Sequence, residues 1–250
     1  MEEVPSYGKG FVEPKAGIVS AANYISRLSE YLKSQPNVVL YENTVVKDVR
    51  GDGKRVYIST EGESLKALKV VLACGRWISE LVPDLKQLVT PREQILLYLE
   101  MKEPSEYRIG SFPSFAIHGE EGQYFGSPDI EGKELKVGTY CLHAETLEKL
   151  KEDTTKFVKS FFKDKVKKIL RTETCYYTVT KEQDFIIDWA DPGNDRILAC
   201  SCCSGHAFKL SPIIGKIAAD LLAEDRSFDL FEKNRHTFRI AHHQSVNLKP

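Results

Sequence analysis

At 250 residues, 42% of them hydrophobic, the chain is long enough to build one large domain or two modest ones around ordinary soluble cores. Lys and Arg number 35 against 36 Asp and Glu, so no net field draws nucleic acid or an anionic membrane to the whole surface. Six cysteines over this length are too sparse for a stapled scaffold and read as free thiols of a reducing compartment.

The opening MEEVPSYGKG is acidic and polar, without the apolar segment of a signal peptide, and no window approaches the roughly 20 apolar residues of a membrane span. From Ser20, the residues Tyr24, Ile25, Leu28 and Leu32 recur at helical spacing until Pro36 stops the pattern, and Val38-Val39-Leu40 reads as a buried strand. Asn43 to Arg50, the turn Gly51-Asp52-Gly53 and the alternating run Arg55 to Thr60 predict a β-hairpin. The apolar strand Lys69 to Ala73 follows, running into Cys74-Gly75-Arg76-Trp77.

Between about Leu81 and Arg171 the texture changes to strands with polar faces, among them Gln94 to Met101 and Glu134 to Cys141. An amphipathic stretch comes next, with Leu147, Leu150, Phe157, Val158, Phe161 and Phe162 on one helical face. The basic run Lys163 to Lys168 reads as a solvated helix face. Strand texture returns after Arg171, and Arg196 to Cys200 is a buried-type strand. A last helix is predicted from Ser211 as N-cap, with Pro212 at the first helical position and Ile213, Ile214, Ile217, Leu221 and Leu222 as its stripe. An α/β piece, a mainly antiparallel insert and a second α/β piece imply two domains, the first discontinuous.

Two clusters suggest chemistry. Cys200-x-Cys202-Cys203 with His206 contains thiols and an imidazole of the kind that bind Zn²⁺, but no second ligand pair stands at matching spacing, and small buried residues at a strand end are the preferred reading. No metal is therefore expected. Ser204-Gly205-His206-Ala207-Phe208-Lys209 forms a glycine turn between a buried strand and a helix, where α/β proteins place ligands. The dipole of that helix favours negative charge on a bound group, while Lys209 reads equally as a snorkelling surface lysine.

Cys175-Tyr176-Tyr177-Thr178 with Phe185-Ile186-Ile187-Asp188, then Ser204-Gly205-His206 with Phe208-Lys209, resembles the C-terminal half of the sarcosine and pipecolate oxidases, within the D-amino-acid-oxidase-like flavoproteins. Gly10-Phe11-Val12-Glu13, Val70 to Trp77 and Leu135-Lys136-Val137-Gly138 fall in the order that this family requires. The resemblance implies an α/β (α+β) fold: a partial, discontinuous, Rossmann-like FAD-binding domain over 1–80 and 173–250, with an inserted antiparallel-sheet substrate domain over 81–172. It implies a monomer, in the cytoplasm or the peroxisome, although Leu248-Lys249-Pro250 does not spell the peroxisomal tripeptide.

By the same resemblance, Cys175 is joined through sulfur to the 8α-methyl of FAD, Lys136 stands beside flavin N5 to stabilise charge developing on O₂, and Lys209 holds the substrate carboxylate. Tyr177, two residues after the cysteine on the same strand face, lines the substrate cavity. Val46, Gly75, Ser204, Gly205 and His206 are the other implied cofactor contacts. The implied reaction is oxidation of a secondary amino acid such as sarcosine or L-pipecolate to an imine, with O₂ giving H₂O₂.

The family also begins with a strand, a G-x-G-x-x-G turn and a helix that grip the FAD pyrophosphate. Gly8-x-Gly10 is not such a turn, and the chain reads as the C-terminal part of an oxidase, the alternative being a non-enzymatic remnant that binds a partner through sheet edges. Tyr140 and Phe125 stand where sarcosine oxidase has a histidine and a tyrosine. Cys202 and Ala207 replace glycines, where a Cβ risks a clash or forbids a left-handed backbone.

Overall fold

The computed structural model describes residues 9–119, 122–141, 145–191, 193–201, 203–225 and 227–247, so Cys202 and Gly8 lie outside the described residues. The fold is mixed α/β. In chain order, helix α1 (Ala21–Lys33) precedes strands β1 (Val46–Gly51), β2 (Val56–Thr60), β3 (Ser64–Ala67) and β4 (Val70–Leu72). The short helix α2 (Ile78–Leu81) leads to β5 (Thr90–Met101), β6 (Phe115–Gly119), β7 (Gly122–Pro128) and β8 (Leu135–Thr139). Helix α3 (Leu147–Phe162), β9 (Val166–Val179), β10 (Ile186–Trp189), β11 (Ile197–Ser201) and helices α4 (Ser211–Ala223), α5 (Asp229–Asn234) and α6 (Ile240–Asn247) complete it. No helix among the described residues is long and apolar enough to cross a membrane. The chain divides into two units, residues 1–41 with 93–175, and residues 42–92 with 176–250.

In the first unit the strands form a sheet of order β6-β7-β8-β5-β9. The predicted amphipathic helix is α3, started by Thr146, whose hydroxyl accepts from the Lys149 amide. Its Phe157, Val158 and Phe162 bury Leu97, Leu99, Tyr124, Leu135 and Val137 of the sheet. The Tyr124 and Phe157 rings stack with centroids 4.0 Å apart. At 14 residues, β9 begins earlier than its sequence suggested. The basic run is accordingly not a helix face: Lys163–Lys165 make a 3-10 turn, and Lys167 and Lys168 on β9 pair with Glu100 on β5. Pairing with β5 outweighs local helix propensity there.

Helix α1 forms where its spacing predicted, and Ser20 accepts from the Asn23 amide at 3.4 Å. None of its residues is buried, and Ile25 stays 54% exposed. Val38-Val39-Leu40 is not a strand, and Val39 is 74% exposed. A strand needs a paired neighbour, and among the described residues this triplet has none.

The second unit holds an antiparallel meander, β1-β2-β3, and a sheet of order β10-β11-β4 in which β4 and β11 run parallel. All five residues of β11 are buried, because both faces of this sheet are covered. Ile187, Leu198 and Cys200 pack against Ile217 and Leu221 of α4, while Ile186, Ile197 and Ala199 face Val56, Leu72, Ile78 and Leu85. Behind β10, the Ile240 amide donates to Asp188 Oδ2 at 3.0 Å, and His243 Nε2 lies 3.3 Å from the Phe185 carbonyl.

Truncating Phe157 to alanine removes the ring stacked on Tyr124 and should lower the unfolding free energy by about 3–5 kcal/mol in denaturant titration. A loss under about 1 kcal/mol would mean that α3 does not anchor this sheet. His243 supplies a pH test. Burial holds its imidazole below the ordinary histidine value of 6.5, so the folded state favours the neutral ring and the unfolded state binds the extra proton. Stability is therefore complete above the unfolded value and declines as pH falls through and below it. His243→Gln should remove that part of the decline, and an unchanged acid limb would overturn the assignment.

Candidate functional site

The two-residue period of a strand decides what the first unit offers. Since Leu97, Leu99, Leu135, Val137 and Tyr124 point beneath α3, the residues between them share the opposite face of the sheet. Register places Leu96 opposite Gly138 and Tyr98 opposite Lys136 on one side of β8, with Phe125 opposite Gly138 and Ser127 opposite Lys136 on the other. Lys136, Phe125 and Tyr140, linked in the sequence only by the family pattern, thus lie on one face. Gly138 makes room for them: a Cβ there would come 2.7 Å from the Phe125 ring and 2.8 Å from Leu96 Cδ2. Lys136 is half-buried and has no ion pair among the described residues.

This face has a charged end that sequence reasoning missed. Arg171 on β9 lies with its guanidinium 3.6 Å from the Tyr98 ring centroid and pairs with Glu134 and Glu173. The Tyr98 hydroxyl donates to Glu173 at 3.0 Å, and burial first, then the Glu173 carboxylate, pushes its pKa up to about 12. The alternation Arg171-x-Glu173 on a strand was the available signal, since it puts both residues on one side.

Cys175 closes the first unit's share of β9, half-buried and in no disulfide. Two residues on, Tyr177 is also half-buried, and Tyr176 between them is 37% exposed. In the second unit the end of β9 meets a glycine turn: the Ser204 amide donates to the Thr178 carbonyl at 2.8 Å, and Cys203 Sγ lies 3.9 Å from the Tyr176 carbonyl. The Arg76 guanidinium stacks on Tyr176 at 3.9 Å and on Trp77 at 4.4 Å.

The parallel strands β4 and β11 end at this crest, and the backbone there turns left-handed: Gly75 has φ 53°, Ser204 φ 36° and Gly205 φ 76°. Open space surrounds the position of a Gly75 Cβ. Ser204 is 1% exposed, so a buried non-glycine residue holds a conformation that L side chains rarely adopt. Ala207, by contrast, is right-handed at φ −78°, and the methyl that replaces the family's glycine carries no backbone strain. His206 Nε2 lies 3.3 Å from the Gln183 carbonyl, and its ring centroid is 4.9 Å from that of Phe185. Cys200 is buried in the core around Leu198 and Ile217.

Lys209 is exposed in the 3-10 turn Phe208–Leu210. Ser211 is not the N-cap predicted for α4. The chain enters the helix straight from that turn, Ser211 already has helical angles (φ −53°, ψ −36°), and Leu210 takes the cap position with no side-chain bond. Val46 lies in the meander at the bulge between Val46 and Asp48 of β1, 37% exposed.

Residues 1–221 match the model of the FAD dependent oxidoreductase family, DAO. The chain is similar to monomeric sarcosine oxidase of Bacillus sp. (strain NS-129), 26% identical over 95% of this chain and 65% of that protein. It is also similar to N-methyl-L-tryptophan oxidase of Salmonella agona (strain SL483), 32% identical over 75% of this chain and 52% of that protein. Among solved structures, glycine oxidase from Geobacillus kaustophilus superposes with a TM-score of 0.61 at 18% identity, over 81% of this chain and 53% of that one. The chain thus spans about two-thirds or less of these relatives. With a match that runs from the N-terminal segment through both glycine turns and into α4, the protein belongs to the FAD dependent oxidoreductase family.

Proposed function

We propose that this protein serves the FAD-dependent oxidation of a secondary amino acid, with sarcosine and L-pipecolate as the leading substrates. The observation that carries this reading is Lys136: an ammonium without an ion pair among the described residues, on the face of a sheet whose other side is sealed by α3. A fixed positive charge on an open face is suited to stabilising negative charge that arises during a reaction.

The residues present fit FAD on the chemistry of their donors. The crest supplies left-handed Gly75 and Gly205, where a ligand can approach the backbone closely, and the exposed ammonium of Lys209. The thiol of Cys175, in no disulfide, is available for a thioether to the flavin 8α-carbon. Cys175 would be the residue that holds the flavin covalently, and the two electrons and two protons lost in forming the thioether would be taken up by O₂. Bound FAD supplies the electron acceptor: the amino acid loses two electrons and two protons to become an imine, and O₂ takes both to become H₂O₂.

The chain's own side chains divide the remaining work. Lys209 holds the substrate carboxylate, a charge present before reaction, whereas Lys136 acts on a charge that appears only as electrons reach O₂. Tyr177, two residues after Cys175 in the chain, contacts the substrate in this reading, and Phe125 and Leu96 over Gly138 give the sheet face an apolar surface next to Lys136.

Flavin-loaded protein precipitated with acid should stay yellow, and Cys175→Ala should release the colour into the supernatant. Colour retained by that variant would remove Cys175 as the anchor. The two lysines separate by half-reaction. Lys209→Met should weaken substrate binding and slow anaerobic flavin reduction by about 1.5–3 kcal/mol while reoxidation by O₂ stays near the parent rate. Lys136→Met should do the reverse, raising the reoxidation barrier by about 3–4 kcal/mol. If Lys136→Met reoxidised at the parent rate, Lys136 would be an ordinary strand lysine.

A further inference from the structure

Lys136 shares its face with carboxylates that ought to capture it. Glu134 stands two residues earlier along the strand direction, hence on the same side, with about 7 Å between Cα atoms. A lysine side chain spans that distance easily. Glu173 is bonded to Tyr98, the residue directly opposite Lys136. Neither carboxylate pairs with Lys136, because Arg171 occupies both.

The arrangement crosses three strands, since β9, β5 and β8 are consecutive in the sheet. From β9 the Arg171 side chain lies flat over the Tyr98 ring of β5, 3.6 Å from its centroid, and reaches Glu134 beside β8. One terminal nitrogen donates to both Glu134 oxygens, and Nε donates to Glu173 Oε1 at 2.9 Å. The second Glu173 oxygen accepts from the Tyr98 hydroxyl at 3.0 Å. These carboxylate oxygens are thereby engaged by donors other than Lys136.

The other groups around Lys136 are accounted for in the same way. On β5, Glu100 pairs with Lys167 at 2.7 Å and with Lys168 at 3.4 Å. From β7 the opposite residue is Ser127, which carries no charge, and Asp129 at the β7–β8 turn accepts from the Lys133 amide at 3.5 Å. Tyr140 follows Lys136 by four residues on its own chain.

We propose that Arg171 is a positioning residue for Lys136: by holding Glu134 and Glu173 it leaves the ammonium opposite Tyr98 facing the open side of the sheet without a counter-ion among the described residues. This rests on the reading of Lys136 as the group that stabilises charge on O₂. An ammonium already paired with a carboxylate has most of its field cancelled and offers a third charge little. Without Arg171, Glu134 turns to Lys136.

The test reads the ammonium itself and needs no flavin, so it stands even if the oxidase reading falls. The 250-residue chain is acetylated with an amine-selective ester at alkaline pH, and the Lys136 peptide is quantified by mass spectrometry, with exposed Lys54 of the second unit as internal control. In Arg171→Gln acetylation at Lys136 should be about tenfold slower, because a paired ammonium gives up its proton less readily. The triple variant Arg171→Gln/Glu134→Gln/Glu173→Gln should return to within about twofold of the parent. Glu134→Gln alone should also stay within about twofold, because that carboxylate is already engaged. An unchanged rate in a folded Arg171→Gln protein, or slowing that persists in the triple variant, would overturn the proposal. Should Arg171→Gln fail to fold, Glu134→Gln decides: a several-fold faster reaction at Lys136 would show that Glu134 already neutralises it.

Discussion

Everything at the open sheet face depends on burial of the other face beneath α3. Leu97, Leu99, Leu135 and Val137 are all 0% exposed, and each contributes about 1.5–3 kcal/mol by leaving water. A slip of β8 by one residue against β5 would turn Leu135 and Val137 outward and drive Lys136 under the helix. An ammonium there would have no partner among the aromatic rings of Phe157 and Phe162, and burying it would cost several kcal/mol more. The position of a charged residue is thus set by apolar neighbours that take no part in its chemistry. Exposed ion pairs, at about 0–1 kcal/mol each, are too weak to set register in this way.

The second unit solves a different problem, holding a strained backbone where two parallel strands end. With both faces of β11 buried, between α4 on one side and the cluster around Ile78 and Leu85 on the other, the strand has little freedom to shift. The turn after it can then carry consecutive left-handed residues, Ser204 and Gly205. For serine such a conformation costs on the order of 1 kcal/mol, and the bond from its amide to the Thr178 carbonyl helps to retain it. The same rigidity explains why α4 starts without a side-chain cap: Phe208–Leu210 is already wound, so Ser211 enters the helix with helical angles.

Elements whose signal is local were legible in the sequence. The stripe of α3, the β1–β2 hairpin and the apolar run of β11 each show their period within a dozen residues, and each forms where that period stands. What failed depended on distant partners. Val38-Val39-Leu40 has strand composition but no strand beside it among the described residues, and Lys163 to Lys168 has the charge of a helix face, yet its Lys167 and Lys168 pair with Glu100 of β5 instead. The grouping of Lys136 with Phe125 and Tyr140 came only from family resemblance, because their common face follows from pairing between β7 and β8 and from the side that α3 covers. That Leu96, Tyr98 and Arg171 join them was invisible for the same reason: the alternation Arg171-x-Glu173 signals a shared strand side, but residues far apart in the chain become neighbours only once register is set. The concern over Ala207 also needed the backbone, since a right-handed φ of −78° asks nothing of glycine.

Stability alone does not explain the cluster over Tyr98. The Arg171 and Glu173 side chains are 43% and 48% exposed, a setting in which ion pairs are screened and add little to folding. Yet the geometry is more constrained than an ordinary surface pair, with both Glu134 oxygens on one nitrogen, a flat stack on the Tyr98 ring and a hydroxyl closing the second Glu173 oxygen. Arginine suits such an arrangement because its planar fork binds two carboxylates while its face covers a ring, and a lysine in the same place would do only one of these. The arrangement gathers negative charge at one end of the face and leaves positive charge alone in the middle. Had the carboxylates been neutral residues, Arg171 would add an uncompensated positive charge beside Tyr98, the residue opposite Lys136; with them present, Arg171 is neutralised locally and Lys136 has no ion pair among the described residues.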